Sequence, residues 1–304
     1  MGGGRMTTDV LTDHPARTGL AAVVSDYVKL TKPRVISLLL VTTAAAMFIA
    51  AGGAPGGWLF VWTMIGGYLA AGGANAINHY VDRDIDGHMR RTDGRPVVAG
   101  RVTPLRALTF GIGCGVASAL ILGVAANWLT AAMGLAGLAV YVGVYTLWLK
   151  RTTIHNIVIG GAAGAFPPLV GWAAVTGTLD LYAWLLFAIV FYWTPPHFWA
   201  LALLLKRDYA SAGVPMLPVL HGEEATRWQV LLWTFVMVGV SILPVAAGLA
   251  GGFALVSMLV LGAIFVWSAW MLWWRPSVRT ARITFHYSLL YLALLFVALA
   301  IDAA

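Results

Sequence analysis

Long apolar runs alternate with polar breaks along this chain. Nine of the runs reach the roughly 17 to 25 residues that a helix needs to cross the hydrocarbon core of a bilayer. They fall at 35–51, 58–76, 107–126, 129–149, 157–175, 181–205, 230–250, 253–274 and 283–301. Backbone polar groups in lipid must find partners inside their own segment, so each run is expected to be a helix. The pattern predicts an all-α membrane protein with nine transmembrane helices in one bundle. Most breaks are short, whereas 78–106 and 206–227 are long polar connections, where chemistry tends to sit. Gly111, Gly113, Gly115, Gly160, Gly161 and Gly164 punctuate the runs, as expected where helices pack closely through small residues.

Composition agrees and narrows the choice. Of the 304 residues 60% are hydrophobic and 10% charged, with a mean hydropathy of +0.83. Soluble domains carry about a quarter charged residues, so an ordinary soluble enzyme, a disordered chain and a disulfide scaffold are excluded. One cysteine, Cys114, excludes an intrachain disulfide, a cysteine zinc site and covalent C-x-x-C-H haem attachment.

The net charge of +7 would suit nucleic acid, but its placement argues for membrane topology. With nine spans, all 19 Lys and Arg residues fall on one side, which the positive-inside rule makes cytoplasmic. The N-terminus is then inside and the C-terminus outside. Residues 1–33 read as a polar cytoplasmic segment without a cleavable signal pattern, with translation starting at Met1 or Met6. Residues 34–304 read as a single helical domain.

The second run ends in Asn75-Ala-Ile-Asn-His-Tyr-Val-Asp-Arg-Asp-Ile-Asp86. Asn78, Asp82 and Asp86 are spaced by four, so a continuing helix places them on one face, with Asp84 pointing elsewhere. Carboxylates beside hydrocarbon are costly unless paired or metal-bound. Hard oxygen ligands of this kind suit Mg²⁺, which takes one or two carboxylates and completes its shell with water and substrate phosphate. The plainer alternative is a solvated helix end whose acids pair with Arg83, Arg90 or Arg91. Arg91 and Arg95 follow in the same stretch and suit bidentate phosphate binding. A metal–diphosphate site needs both signs of charge, and this stretch interleaves them.

The sixth run ends on the same face. It contains Trp193-Thr-Pro-Pro-His-Phe-Trp199 and leads to Asp208, a candidate further metal ligand; Lys150, Arg151 and Asn156 join that face from another connection. His197 sits inside an apolar helix beside Pro195 and Pro196, which are expected to kink it. An ionisable group at that depth is a functional candidate as well as a packing residue. His79, His155 and His286 are weaker candidates near helix ends.

These strings resemble the UbiA-type intramembrane prenyltransferases, and specifically their haem-farnesylating branch. The resemblance is carried by Asn78-His-Tyr-Val-Asp-Arg-Asp-Ile-Asp-Gly-His-Met-Arg-Arg-Thr92, Arg95-Pro96, Gly160-Gly-Ala-Ala-Gly-Ala-Phe-Pro-Pro168, Trp193-Thr-Pro-Pro-His-Phe-Trp-Ala-Leu-Ala202 and Asp208-Tyr-x-x-x-Gly-Val-Pro-Met-Leu-Pro218. It runs from Thr31-Lys-Pro-Arg34 to the last helix. It implies a central cavity with a polar cytoplasmic cap in a bacterial cell membrane. The implied reaction is transfer of the farnesyl group of farnesyl diphosphate to a vinyl group of haem b, with water addition, giving haem O and diphosphate.

The resemblance implies Mg²⁺ at Asn78, Asp82 and Asp86, with Asp208 at a second metal site or holding a basic side chain. Elsewhere in the superfamily a second D-x-x-x-D occurs, whereas here Ala212 follows Asp208 at that spacing. Arg91, Arg95, Lys150 and Arg151 would clamp the diphosphate, with Lys32 or Arg34 as weaker candidates. His197 would contact haem as an iron ligand or propionate partner, with Trp193 and Trp199 as stacking surface. A downstream haem A synthase is a possible partner. Two rivals stand beside this reading: a sister enzyme using a quinone precursor or chlorophyllide, and a transporter. Transporters tend to place ionisable groups near the midplane, whereas these acids cluster at one edge.

Overall fold

The computed structural model describes residues 19–304. Segment 1–18, with most of the expected polar N-terminal stretch and both candidate start methionines, lies outside the described residues. Among the described residues the chain is helical, with no β-strand. In order come α1 (Leu20–Thr31), α2 (Pro33–Ala51), α3 (Gly57–Val81), the short α4 (Arg83–Asp86), α5 (Pro104–Ala125) and α6 (Trp128–Ala139). A π-helical stretch, Val140–Leu149, continues α6 into α7 (Lys150–Thr152); then come α8 (Asn156–Gly160), α9 (Ala162–Thr176) and α10 (Leu181–Leu204). The remainder is α11 (Lys206–Ser211), α12 (Leu217–Leu220), α13 (Gly222–Ser241), α14 (Leu243–Ala246), α15 (Gly252–Trp274) and α16 (Val278–Asp302).

Local chemistry sets several of the ends. Pro33 and Pro104 open their helices, where a missing N–H costs nothing. Thr103 and Asn127 cap α5 and α6, and Ser277 forms a capping box with Thr280 at α16. α10 runs uninterrupted through Pro195 and Pro196, as membrane helices do when neighbours satisfy the freed carbonyls.

The chain is an integral, multi-pass membrane protein. Among the described residues eight helical rods are long and apolar enough to cross a membrane: Pro33–Ala51, Pro104–Ala125, Trp128–Thr152, Asn156–Thr176, Leu181–Leu204, Gly222–Ala246, Gly252–Trp274 and Val278–Asp302. The ninth expected span, 58–76, is the exception. It lies within α3, which at 25 residues has the length but, with its Gly, Trp, Tyr and Asn content, is less apolar than the eight.

What α3 gives up in apolarity it gains in proximity. A Cβ on Gly73 would lie 2.6 Å from the Gly111 carbonyl oxygen, and one on Gly111 would lie 2.8 Å from that of Gly73. The backbones of α3 and α5 therefore touch, which only glycine at both positions permits. The small-residue expectation holds for Gly111, Gly115, Gly160 and Gly161. Gly113 and Gly164 instead have nothing within 4 Å of an added Cβ, so close packing does not explain them.

The main apolar core lies between α2, α9, α10, α13, α15 and α16, around Leu169, Leu186, Phe265 and Tyr291. A smaller core, with Leu30, Ala76, Val97, Val102 and Ala107, fastens α1 and the 87–103 connection to α3 and α5. Asp26 of α1 pairs with Arg101 at 3.1 Å across that seam. The long connection is thereby folded down over the end of α3.

Candidate active site

α3 does not stop at its acidic motif. The Asp82 N–H donates to the Asn78 carbonyl, and the Asp86 N–H donates to the Asp82 carbonyl, both at 2.9 Å. The helical path is carried through the joint at Asp82 into α4, and the four-residue spacing survives. The Asn78 amide donates to Asp82 Oδ2 at 2.6 Å and to Thr146 Oγ1 at 3.2 Å. Asp82 is 0% exposed and Asp86 1%.

Two buried carboxylates require cations, one from the connection that follows α4 and one from 68 residues further along the chain. Lys150 Nζ pairs with Asp82, and the Arg95 guanidinium pairs with Asp86. The alternative of a solvated helix end pairing with Arg83, Arg90 or Arg91 is not what forms. Arg83 instead donates to the Tyr80 carbonyl and lies over the Tyr80 ring. Lys150 follows the π-helical stretch, whose wider turn lets Thr146 Oγ1 donate to the Tyr141 carbonyl at 2.8 Å while accepting from Asn78. Such turns gather at functional sites. Arg95 is brought in by the folded connection, where Thr92 Oγ1 donates to the Asp86 carbonyl at 2.7 Å.

Lys32 enters from the α1–α2 junction, with Nζ 2.8 Å from Asn78 Oδ1. It is the only non-glycine among the described residues with positive φ, 55°, and it precedes Pro33. Such a backbone is strained for a residue with a Cβ, and strain of this kind marks sites the surrounding structure over-determines. Burial, with Arg95 and Lys150 close by, pushes the Lys32 ammonium well below the usual lysine value, against the pull of Asp86 and Asp82. Lys32, Asn78, Asp82 and Lys150 thus form one hydrogen-bonded polar hollow, with the Asp86–Arg95 pair one helical turn further along.

Asp84 lies outside that hollow, half exposed. Arg151 grips it bidentately at 2.6 and 2.8 Å, which holds its carboxyl down to about 2. Arg151 Nη2 is also 3.6 Å from Asp82 Oδ1, so Asp84 holds this guanidinium beside the hollow. A cleft of about 270 Å³, lined by Asp84, Ile85, His88, Ser211 and Ala212, opens on the same face.

The donor set suits a divalent ion. Asp82 Oδ1 and Asp86 Oδ1 are buried without a hydrogen-bond partner, which leaves each carboxylate one oxygen with lone pairs to offer, that of Asp82 with Arg151 3.6 Å away. Among the described residues no three His, Cys, Asp or Glu side chains converge as a metal cage, so Asp208 does not complete a set with Asp82 and Asp86. Two carboxylates without a third are what Mg²⁺ uses when phosphate supplies the rest. Arg91 is exposed and in no ion pair among the described residues, but its charge reaches the buried Tyr209 phenol, as does that of Arg95. Arg34 is exposed on α2 and in no ion pair among the described residues.

Of the aromatic candidates, His197 and Trp193 form a separate cluster and Trp199 lies outside it, in another core. The His197 ring is stacked between Trp193, at 4.2 Å, and Phe285, at 4.9 Å. Its Nδ1 lies 2.7 Å from Ser288 Oγ, and Trp193 Nε1 donates to the Ser288 carbonyl at 2.7 Å. Trp199 is buried against Trp233, with its Nε1 unpartnered. No local pattern points to Thr146 or to Asp84 as Arg151's holder, and Lys32, a weaker candidate by sequence, reaches Asn78. A Lys-Pro step between two helices was the one available signal.

In the solved structures, a digeranylgeranylglyceryl phosphate synthase superposes with a TM-score of 0.75 at 15% identity, over 92% of this chain and 98% of that one. A UbiA homolog from Archaeoglobus fulgidus bound to DMAPP and Mg²⁺ gives 0.65 at 15% identity, over 91% and 99%. At these identities the likeness establishes the fold, a UbiA-type helical bundle. The model of the UbiA prenyltransferase family matches residues 39–299, and the chain belongs to that family. A protein of Symbiobacterium thermophilum named "Protoheme IX farnesyltransferase" is 55% identical over 282 residues, covering 92% of this chain and 94% of that protein. One of the same name from Chloroflexus aurantiacus is 55% identical over 280 residues, covering 92% of this chain. The chain spans about half the length of that relative and of those from Roseiflexus and Thermus thermophilus.

Proposed function

We propose that this chain transfers the farnesyl group of farnesyl diphosphate to a vinyl group of haem b, with water addition, giving haem O and diphosphate. The observation that carries this is 55% identity across nearly the whole of a relative named for farnesyl transfer to protohaem. The buried acid–base cluster supports it, with one oxygen of each carboxylate left without a hydrogen bond while a cation pairs the other.

Asn78, Asp82 and Asp86 hold the metal, and Asp208 serves a second metal or a basic side chain. Mg²⁺ bound there supplies Lewis-acid stabilisation of the departing diphosphate. Lys32, Arg95, Lys150 and Arg151 receive the phosphate oxygens, with Arg91 at the rim. They are in place before charge develops, which is how fixed donors lower such a barrier. The C1–O bond of the prenyl donor breaks with its electron pair leaving on diphosphate. The vinyl π electrons then form the new C–C bond, and water captures the remaining cation and loses a proton. The apolar bundle keeps other water from quenching the allylic cation. His197 contacts the porphyrin as an iron ligand or propionate partner, with Trp193 and Trp199 as stacking surface. α3 completes a nine-span topology, with the charged face cytoplasmic and the C-terminus outside, in a bacterial cell membrane. Haem A synthase is the proposed acceptor of the product.

Purified protein in lipid nanodiscs, given farnesyl diphosphate, haem b and Mg²⁺, should yield a haem heavier by one farnesyl group plus one hydroxyl by mass spectrometry. Unaltered haem would overturn the acceptor assignment. Prenylation of a quinone precursor or chlorophyllide in its place would assign the sister reaction.

A further inference from the structure

His79 has no role in the mechanism above. It is 2% exposed, yet neither of its ring nitrogens has a hydrogen-bond partner. It lies one helical turn beyond Asn75, whose amide donates to the Thr31 carbonyl at 3.1 Å. Residues four apart share a helix face, so His79 leaves α3 towards the α1–α2 junction, where Lys32 stands. Lys32 and Arg95 are the charges that reach it.

A neutral imidazole has one N–H donor and one acceptor nitrogen. Burying both without partners forfeits hydrogen bonds that water would supply, and folded interiors seldom leave such groups orphaned. Two cations are near enough to act on this orphan by charge. Lys32 already gives one hydrogen to Asn78, and Arg95 is engaged with Asp86, but each retains further N–H donors. A group that accepts from all three side chains at once is an oxyanion.

We infer that His79 is a substrate-binding residue that donates its ring N–H to an oxyanion held between Lys32 and Arg95. The inference rests on the prenyl-transfer reading, which supplies two sources of that chemistry. One is the diphosphate of the prenyl donor; the other is a propionate carboxylate of the porphyrin.

The test uses the full chain in nanodiscs with His79→Leu and His79→Gln. Inorganic pyrophosphate with Mg²⁺ and haem b are titrated separately, and thermal unfolding is followed without ligand. His79→Leu should weaken pyrophosphate binding about tenfold, the scale of one hydrogen bond to a charged group. His79→Gln should regain most of it, because its amide still donates, and haem binding should be unchanged. His79→Leu should also melt at or above the temperature of the unmodified chain, since no orphaned nitrogens remain. A histidine kept for packing would melt lower.

Weakened haem binding with pyrophosphate unaffected would assign the oxyanion to the porphyrin carboxylate, with His79 still its donor. Unchanged binding of both ligands, or failure of glutamine to rescue, would overturn the assignment while leaving the prenyl-transfer reading intact. An unmodified chain that binds neither ligand would remove that reading, and this assignment with it.

Discussion

Two polar clusters interrupt this apolar bundle, and they are built on opposite plans. The hollow at the end of α3 is ionic and draws its cations from three separate segments, through Lys32, Arg95 and the neighbours Lys150 and Arg151. It still leaves an oxygen of each buried carboxylate unpartnered. The His197 cluster is neutral, with rings stacked on Trp193 and Phe285 and polar atoms closed onto Ser288. A neutral heteroaromatic can be buried by packing and one hydrogen bond, whereas a buried carboxylate must be matched by charge. The ionic cluster therefore keeps binding capacity in reserve. The aromatic one is closed by packing and its contacts with Ser288.

The largest expected effect breaks the ionic cluster. Asp82→Ala should lower farnesyl transfer by a factor on the order of a thousand. It should also destabilise the fold by about 3–5 kcal/mol, because Lys150 is left buried and unpaired. The double replacement Asp82→Leu/Lys150→Met should recover the melting temperature without recovering turnover. Restored turnover in the double variant would show that the pair serves only the fold.

The aromatic cluster should respond more mildly and in a different ligand. His197→Phe keeps the stacking and loses the contact with Ser288, so haem affinity should fall about tenfold, the scale of one polar contact. Pyrophosphate titration should be unaffected. Equal losses in both titrations would mean that the two clusters are one site.

The smallest effect sharpens the strain at Lys32. Lys32→Gly and Lys32→Ala should both raise the KM for farnesyl diphosphate. In thermal melts the glycine variant should be the more stable by about 1 kcal/mol, since only glycine adopts this backbone freely. Equal melting temperatures would show that the left-handed geometry stores nothing.

The helices were readable from hydropathy alone, with most boundaries within a few residues of those found. α13 starts earlier than its apolar run, at Gly222, because Glu223 and Glu224 occupy its exposed first turn. The acidic motif was readable too, because a spacing of four needs only the helix to continue, and it does. The span count was less secure. It scored α3 like the others, although this helix carries the site amides and the glycines that meet α5.

Periodicity and composition therefore settled this protein's solvent, its helical class and the location of its acids, since each depends on residues close together in the chain. Which cation meets which acid was decided only by the packed bundle. Lys150 reaches Asp82 across 68 residues, and Lys32 reaches Asn78 across 46, from a left-handed turn that no local pattern announces. Electrostatic pairing follows distance in space, and the one-dimensional order of residues does not contain that distance until the helices have packed.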